Sequence, residues 1–315
     1  MTEPRSLTAP AGAASASRPR VEASVIVASR NRPELLGDAV ASILDGSMLP
    51  VEIVVIDQSD APLETLERLG LQDCPVRYVH SPSRGLSRAN NLGAAAAKAD
   101  LLVFTHDDVQ VDREWLATLV AKAESAGSAA TITGRVLASN VKQGWFAPSL
   151  IESTEARTFQ GLAGLERLFP MNMAISRRLL DSVGGFDPRI GPGTPYPAAE
   201  DNDLCYRLLR AGGVLVYEPG AVVYHRAWRP QREFTRLRYD YGRGQGAYYA
   251  KHLSVRDRTM MRRALDDFTR RSAHMFIQLV RSPGRVPPQA AYLLGLLKGM
   301  ALWTLREGRR PSVEG

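Results

Sequence analysis

Residues Leu101–Asp112 read LLVFTHDDVQVD. A short apolar run, Leu101 to Phe104, stops abruptly at His106, Asp107 and Asp108. This is the pattern of a buried strand whose C-terminal end carries carboxylates. In open α/β sheets, ligands sit outside the carboxyl ends of the strands. Two adjacent carboxylates at such an edge repel each other unless a cation stands between them, and the usual cation is a divalent metal with oxygen ligands. Taken alone, an Asp-Asp pair reads as a solvated loop. The segments on either side reverse that reading.

Upstream, Ala23–Ser29 (ASVIVAS) has strand composition and ends at Ser29, Arg30 and Asn31. Pro33 then opens a helix with Leu35, Leu36, Ala39, Val40, Ile43 and Leu44 at helical spacing, closed by Gly46. Val51–Ile56 is a second strand stopping at Asp57, a helix is expected around Leu63–Leu69, and Val76–Val79 is a short third strand. GLSRANNLG, from Gly85, runs into alanines as a loop followed by a helix. Leu101–Phe104 is then the fourth strand, and Trp115–Ala126 an amphipathic helix. Strands alternating with helices at this spacing predict βαβ units and a mostly parallel sheet. Three strands end in polar residues: Ser29/Asn31, Asp57 and Asp107/Asp108. Such ends converge on one crevice, although Asp57 by itself also reads as a cap on the following helix. There is no GxGxxG after the first strand and no GxxxxGK[ST] anywhere, which disfavours a dinucleotide site or a P-loop.

Downstream, Ile132–Leu137 and Met171–Ile175 are expected strands, and Ser176–Val183 a helix ended by Gly184-Gly185. Ile190–Pro197 is rich in Gly and Pro and predicts a surface loop over a site. Glu200-Asp201-Asn202-Asp203 opens a helix that Gly212-Gly213 stop. The helix dipole favours acids in a first turn, which accounts for one or two of them better than for three. A carboxylate there, beside a crevice, also suits a general base acting on a hydroxyl nucleophile. Val214–Tyr217 and Ala221–Tyr224 are extended segments, and His225 ends the second at an apolar run's edge, as Asp108 does. Imidazole with carboxylate suits Mn²⁺ better than Mg²⁺.

The remaining signals are compositional. Two distant cysteines, Cys74 and Cys205, give no disulfide framework or metal spacing, so a reducing compartment is the default. The first 22 residues form no secretory signal and read as a disordered Ala/Ser/Pro tail. Charge is uneven: residues 226–315 hold 19 Lys and Arg against 7 Asp and Glu, a net +12 within a chain of net +7. A basic C-terminal third points to an anionic contact, and Arg229–Lys251, rich in Arg and Tyr, suits a lid over a diphosphate or an anionic lipid surface better than nucleic acid. Arg258–Val280 is an expected helix. Ala290–Leu305 is strongly apolar but short and carries Lys298, against the ~20 apolar residues a span requires. It reads equally as an interfacial helix or one packed on the domain.

The motifs SVIVASRNR, VVIDQSD, GLSRANNLG, FTHDDVQVDREWL, SRRLLDSVGGFDPRIGPGTP, AEDNDLCYRLLRAGG and YEPGAVVYH, over about residues 23–230, together resemble a family 2 glycosyltransferase. The resemblance implies the GT-A fold, an α/β architecture with a mostly parallel sheet flanked by helices. Residues 23–230 would be the glycosyltransferase domain and 231–315 a basic helical extension. It implies an inverting hexosyl- or deoxyhexosyltransferase that uses a nucleotide-diphosphate sugar donor, a divalent metal (Mn²⁺ or Mg²⁺) and a glycan or lipid-linked acceptor. The place would be the cytoplasm or the inner face of the cell membrane. Ser29, Asn31 and Asp57 match the nucleoside pocket, and Arg88 and Asn91 the loop framing the nucleotide. His106–Asp108 match the Asp-x-Asp motif, which gives Asp107 to the nucleotide and Asp108 and His106 to the metal. Asp201 matches the catalytic base with Glu200 beside it, and His225 a histidine that completes some metal shells. Three positions depart from the pattern: His106 replaces the first Asp of that motif, Gln58 an Asp, and Asn90 an Arg. These departures keep a non-catalytic nucleotide-sugar-binding or scaffold protein as the alternative. A sugar nucleotidyltransferase is weaker, since SRNRPE is not its glycine-rich, basic loop.

Overall fold

The computed structural model describes residues 18–63, 70, 74–139, 141–164, 166–253, 258–282, 284 and 286–308. In chain order its first half comprises β1 (Arg20–Ser29), α1 (Pro33–Leu44), β2 (Leu49–Asp57), β3 (Val76–His80), α2 (Leu86–Ala96), β4 (Leu101–His106), β5 (Val109–Val111), α3 (Trp115–Ala126) and β6 (Ala130–Ser139). There follow β7 (Trp145–Phe146), β8 (Arg157–Gln160), β9 (Asn172–Ser176), α4 (Arg177–Ser182), α5 (Glu200–Arg210), β10 (Val214–Arg226), β11 (Arg229–Pro230), α6 (Phe234–Leu253), α7 (Arg258–Arg281) and α8 (Val286–Arg306).

The main sheet runs β3-β2-β1-β4-β9-β6-β10-β5, with β8 also paired to β10. β3, β2, β1 and β4 are parallel, β9 lies antiparallel between β4 and β6, and β10 is parallel to β6. The sheet is therefore mostly parallel, as the alternation of elements predicts. Its central strands are continuous apolar runs because both faces are covered. Ile26, Ile56, Leu102 and Phe104 face α2 and α5, whereas Val25, Val27, Val55 and Val103 face α1 and α3. The first of these two cores also takes in Tyr248 of α6, Met260 of α7 and Leu296 of α8, so the C-terminal helices share the sheet's own core.

Several expectations change in detail. β1 begins at Arg20, inside the stretch read as a tail, while residues 1–17 lie outside the described residues. Residues 64–69, where a helix was expected, also lie outside them. The two extended segments after Gly213 are one strand, β10, with an irregularity between Glu218 and Val222. The loop at 190–197 is pinned, not free: Ile190 and Tyr196 are fully buried, and the Tyr196 ring lies 5.1 Å from that of Trp303 on α8. α8 packs on the domain through Tyr292, Leu296 and Trp303, yet leaves Leu294, Leu297 and Leu305 exposed. Glycines set its closeness to α6. A Cβ on Gly242 or Gly246 would overlap the carbonyl oxygen of Tyr292 or Leu296, and one on Gly295 or Gly299 that of Tyr239 or Arg243. The two backbones therefore touch directly.

Candidate active site

The strand ends assemble the first half of the site. β1 and β4 pair in register, Ala28 opposite His106, so the residues just beyond them meet. Ser29 Oγ donates to Asp107 Oδ2 at 2.8 Å. β5 turns back against β10 and sets His225 opposite Val109, one residue from Asp108. The Arg226 amide donates to the Asp108 carbonyl at 3.0 Å, fixing that turn. His225 Nε2 then stands 3.6 Å from Asp108 Oδ2.

The cation that two adjacent carboxylates require is present within the chain. Arg32, at the N-terminus of α1, reaches Asp107 Oδ2 with Nε at 3.0 Å and Asp108 Oδ2 with Nη1 at 3.2 Å. Trp228 Nε1 donates to the same Asp108 oxygen at 2.9 Å. The guanidinium groups of Arg32 and Arg229 both lie over its ring, at 5.2 and 4.4 Å from the centroid. Burial raises Asp107 to about 7 in spite of Arg32. Burial would raise Asp108 too, but the hydrogen bond and charge of His225 and the charge of Arg32 outweigh it and hold Asp108 well below the usual carboxylate range. Burial pushes His106 down to about 4, leaving it a neutral imidazole near pH 7.

The second half comes from the N-terminus of α5. Ala199 precedes it with φ +71, a left-handed conformation rare without glycine, and Glu200 follows, buried. Burial and the charge of Asp201 raise Glu200 to about 8. Burial also raises Asp201, to about 6, against the hydrogen bond its Oδ1 accepts from the Asn202 amide at 2.7 Å. Both carboxyls are thus held above their ordinary range, and a raised carboxylate of this kind suits a general base near neutral pH. α6 supports the pair: Asn202 Nδ2 donates to Gln245 Oε1 at 2.8 Å, and Gln245 Nε2 to Glu166 Oε1 at 3.1 Å. The fourth residue of the acidic run differs. Asp203 is completely buried and bound by Arg207, Lys251 and His252, so it ties α6 to α5.

Both halves line one cavity of about 570 Å³, to which Arg32, His106, Asp107, Asp108 and His225 contribute from one side and Glu200, Asp201 and Tyr241 from another. Other residues singled out in the sequence stand elsewhere. Asp57 is buried and accepts from Ser59 and from the Tyr78 hydroxyl, the latter at 2.7 Å. Asn31 exchanges hydrogen bonds with Asp60 at 2.9 and 3.0 Å. Asn91 spends both ends of its amide on the Phe186 backbone, at 2.8 and 2.9 Å. Arg88 lines a separate, smaller cavity with Arg189 and Glu307. Arg32, Trp228, Tyr241 and Gln245 join the site without having been singled out. Arg32 had a signal, a cation one residue past Asn31 at the strand end; Tyr241 and Gln245 lie in the stretch 229–251 read as a lid or lipid contact, and Trp228 had none.

For a divalent metal the donor chemistry fits. His106 Nε2 and His225 Nδ1 are buried with no hydrogen-bond partner among the described residues, and Asp108 between them is ionised. The placement is looser. Among the described residues no three His, Cys, Asp or Glu side chains stand together in metal-holding geometry, and Arg32 holds the carboxylates instead.

Comparison with known proteins agrees with this architecture. The family model described as "Glycosyl transferase family 2" matches residues 24–184. A glucosyl-dolichyl phosphate glucuronosyltransferase of Haloferax volcanii is 25% identical over 227 residues, covering 69% of this chain and 72% of that protein. A pre-mycofactocin glycosyltransferase of Mycobacterium tuberculosis is 28% identical over 241 residues, 73% of this chain; the match spans about half, 48%, of that longer protein. In structure, a mannosyltransferase from Pyrobaculum calidifontis in complex with GDP-Man and Mn²⁺ superimposes with TM-score 0.58 at 18% identity, covering 90% of this chain and 88% of that one. GalNAc-T7 with UDP, GalNAc and Mn²⁺ superimposes with TM-score 0.51 at 20% identity, covering 74% of this chain and 50% of that one. At these identities the likeness in structure concerns the GT-A fold.

Proposed function

The chain belongs to glycosyl transferase family 2, and we propose that it is a metal-assisted, inverting glycosyltransferase that moves a sugar from a nucleotide-diphosphate sugar to an acceptor hydroxyl. The observation that carries this reading is a single cavity joining the Asp107–Asp108–His225 strand ends to a raised, buried carboxylate pair on α5. The donor's diphosphate belongs at the first, with Ser29 and Asp107 toward the nucleotide, and the acceptor hydroxyl beside the second.

Asp201 takes the proton of that hydroxyl, whose oxygen attacks the anomeric carbon from the face opposite the phosphate. The bond to the diphosphate breaks and the nucleotide diphosphate leaves with its electron pair. Glu200, protonated and adjacent, keeps a second negative charge away from the base. Asp108, with His225 and His106, is the set that would hold Mn²⁺ or Mg²⁺; a bound ion there would neutralise charge building on the leaving diphosphate. Arg32 would exchange its two carboxylates for the phosphates. A panel of UDP-, GDP- and dTDP-sugars incubated with the protein and Mn²⁺ tests the reading. Release of nucleotide diphosphate from one class, above the rate without protein, is expected; turnover of none would reject it.

The acceptor side is in keeping with a lipid-linked glycan at a membrane surface. No helix among the described residues is long and apolar enough to cross a membrane. α7, however, exposes Leu265, Phe276, Ile277, Leu279 and Val280 to between 51% and 85%, in the part of the chain with net charge +12. An apolar helix face with a cationic surround suits the headgroup boundary of an anionic bilayer. Flotation with anionic vesicles should carry the wild type and release the Phe276→Ser, Val280→Ser double variant. Equal flotation of the two, or none of either, would sink this part.

A further inference from the structure

The same cavity is lined by two arginines that the transfer chemistry described above does not use. Arg238 on α6 and Arg271 on α7 both line it, and both guanidinium groups lie over the ring of Tyr292 on α8, at 4.7 and 3.8 Å. Their local acids are already committed. Asp267 accepts from Arg271 Nε at 2.6 Å and from the Tyr292 hydroxyl at 2.8 Å. Asp240 is paired with Arg243 at 3.2 Å. No carboxylate among the described residues lies within ion-pair distance of Arg238. Two guanidinium groups thus face a single carboxylate, leaving one positive charge in a partly desolvated place. Burial and the neighbouring Arg271 charge lower the proton affinity of Arg238, and the Asp267 carboxylate offsets them only in part. An arrangement of this kind is costly unless an anion completes it.

We infer that the acceptor carries a phosphate group, and that Arg238, backed by Arg271 and Tyr292, is the residue that binds it. This rests on the glycosyltransferase reading above and adds the chemical class of its acceptor. Position separates this cation from the donor's. Arg32 and Arg229 lie over the Trp228 ring beside Asp108, whereas Arg238 stands at the wall built by α6, α7 and α8. Tyr241, three residues on and so on the same face of α6, feels the charges of Asp201 and Glu200. Arg238, Tyr241 and the Glu200–Asp201 pair thus line one cavity. A guanidinium offers a planar pair of donors to phosphate oxygens, which an ammonium does not. A prenyl phosphate sugar and a soluble sugar phosphate share this chemistry.

Calorimetric titration of farnesyl phosphate, farnesol, glucose 1-phosphate and inorganic phosphate into the full chain tests the inference, with the wild type, Arg238→Gln and Arg238→Lys. At least one phosphate probe should bind the wild type, about tenfold or more weakly to Arg238→Gln, with Arg238→Lys intermediate. The affinity for whichever of UDP, GDP and dTDP binds the wild type should stay within about twofold in both variants, showing that each remains folded. A preference for farnesyl phosphate assigns a lipid-borne phosphate and a preference for glucose 1-phosphate a soluble one; either upholds the inference. Farnesol binding as well as farnesyl phosphate, no phosphate probe binding, or undiminished binding in Arg238→Gln would overturn it. Parallel loss of nucleotide affinity in Arg238→Gln would also overturn it, by assigning the residue to the donor. Failure of every nucleotide to bind the wild type strikes the glycosyltransferase reading instead, and leaves the phosphate comparison readable.

Discussion

Asp201→Asn should lower the rate of sugar transfer by roughly 10²- to 10⁴-fold, the range a positioned general base supplies, and leave nucleotide diphosphate affinity unchanged. The amide keeps the size of the side chain and can still accept from the Asn202 amide, as the carboxylate does at 2.7 Å, so geometry is preserved while the proton acceptor is lost. The pH profile supplies the control. Burial places Asp201 at about 6, so the wild-type rate should climb as pH rises through that value and level above it, because only the ionised carboxylate accepts a proton. In Asp201→Asn that ascending limb should be absent. Glu200→Gln should behave differently. Glu200 is raised to about 8 and already carries its proton at neutral pH, so the amide resembles its working form and the loss should be small. A large loss in Glu200→Gln with a small one in Asp201→Asn would reverse the two roles.

Gly246→Val should destabilise the protein by about 3 kcal/mol, at the upper end of ordinary overpacking, and lower the melting temperature by roughly 4–5 °C for a chain of 315 residues. A Cβ there would overlap the Leu296 carbonyl oxygen, and the obstacle is backbone, which cannot rotate away. Relief requires α6 and α8 to separate. Since α6 also carries Tyr241 and Gln245 at the cavity, and Gly244 abuts the Ala198 backbone just before Glu200, the site should loosen with it. Leu297→Ala, on the exposed side of α8 at 52%, should change stability by less than about 0.5 kcal/mol. Calorimetric melting of the two variants beside the wild type reads the difference. Equal melting temperatures would mean that the tight crossing does not hold these helices.

The same glycines show what a linear sequence conceals. Continuous apolar runs made β1, β2 and β4 legible, because both faces of those strands are buried, and a period of 3.6 did the same for α1 and α3, which bury one face. Polar residues at strand ends likewise marked Asp107, Asp108 and His225, which pairing alone brings together. α6 was read only as a stretch rich in Arg, Tyr and Gly, since glycine in a helix looks like a breaker until the partner backbone that requires it is known. β8, Arg157–Gln160, is an edge strand with little buried surface, so it lacks an alternating pattern. In the acidic run of α5, the local mark that separates Asp203 from Asp201 is Arg207, four residues on. The rest of the difference arises from Lys251 and His252, nearly fifty residues away and delivered by the docking of α6. Arg32 was hidden for a related reason: the need for a cation was legible, but a nearby arginine and an external metal answer it equally well on paper. Arg238 is an uncompensated cation only once Asp267 and Asp240 are seen to be engaged elsewhere.

The most direct test of the account is calorimetric titration of UDP, GDP and dTDP, each with and without Mn²⁺, into the wild type and Asp108→Ala. One nucleotide should bind, Mn²⁺ should tighten it, and Asp108→Ala should abolish the tightening. Binding that is indifferent to Mn²⁺ and equal in both proteins would contradict the metal-assisted donor site. It would leave Arg32, not a metal, as the partner of the diphosphate.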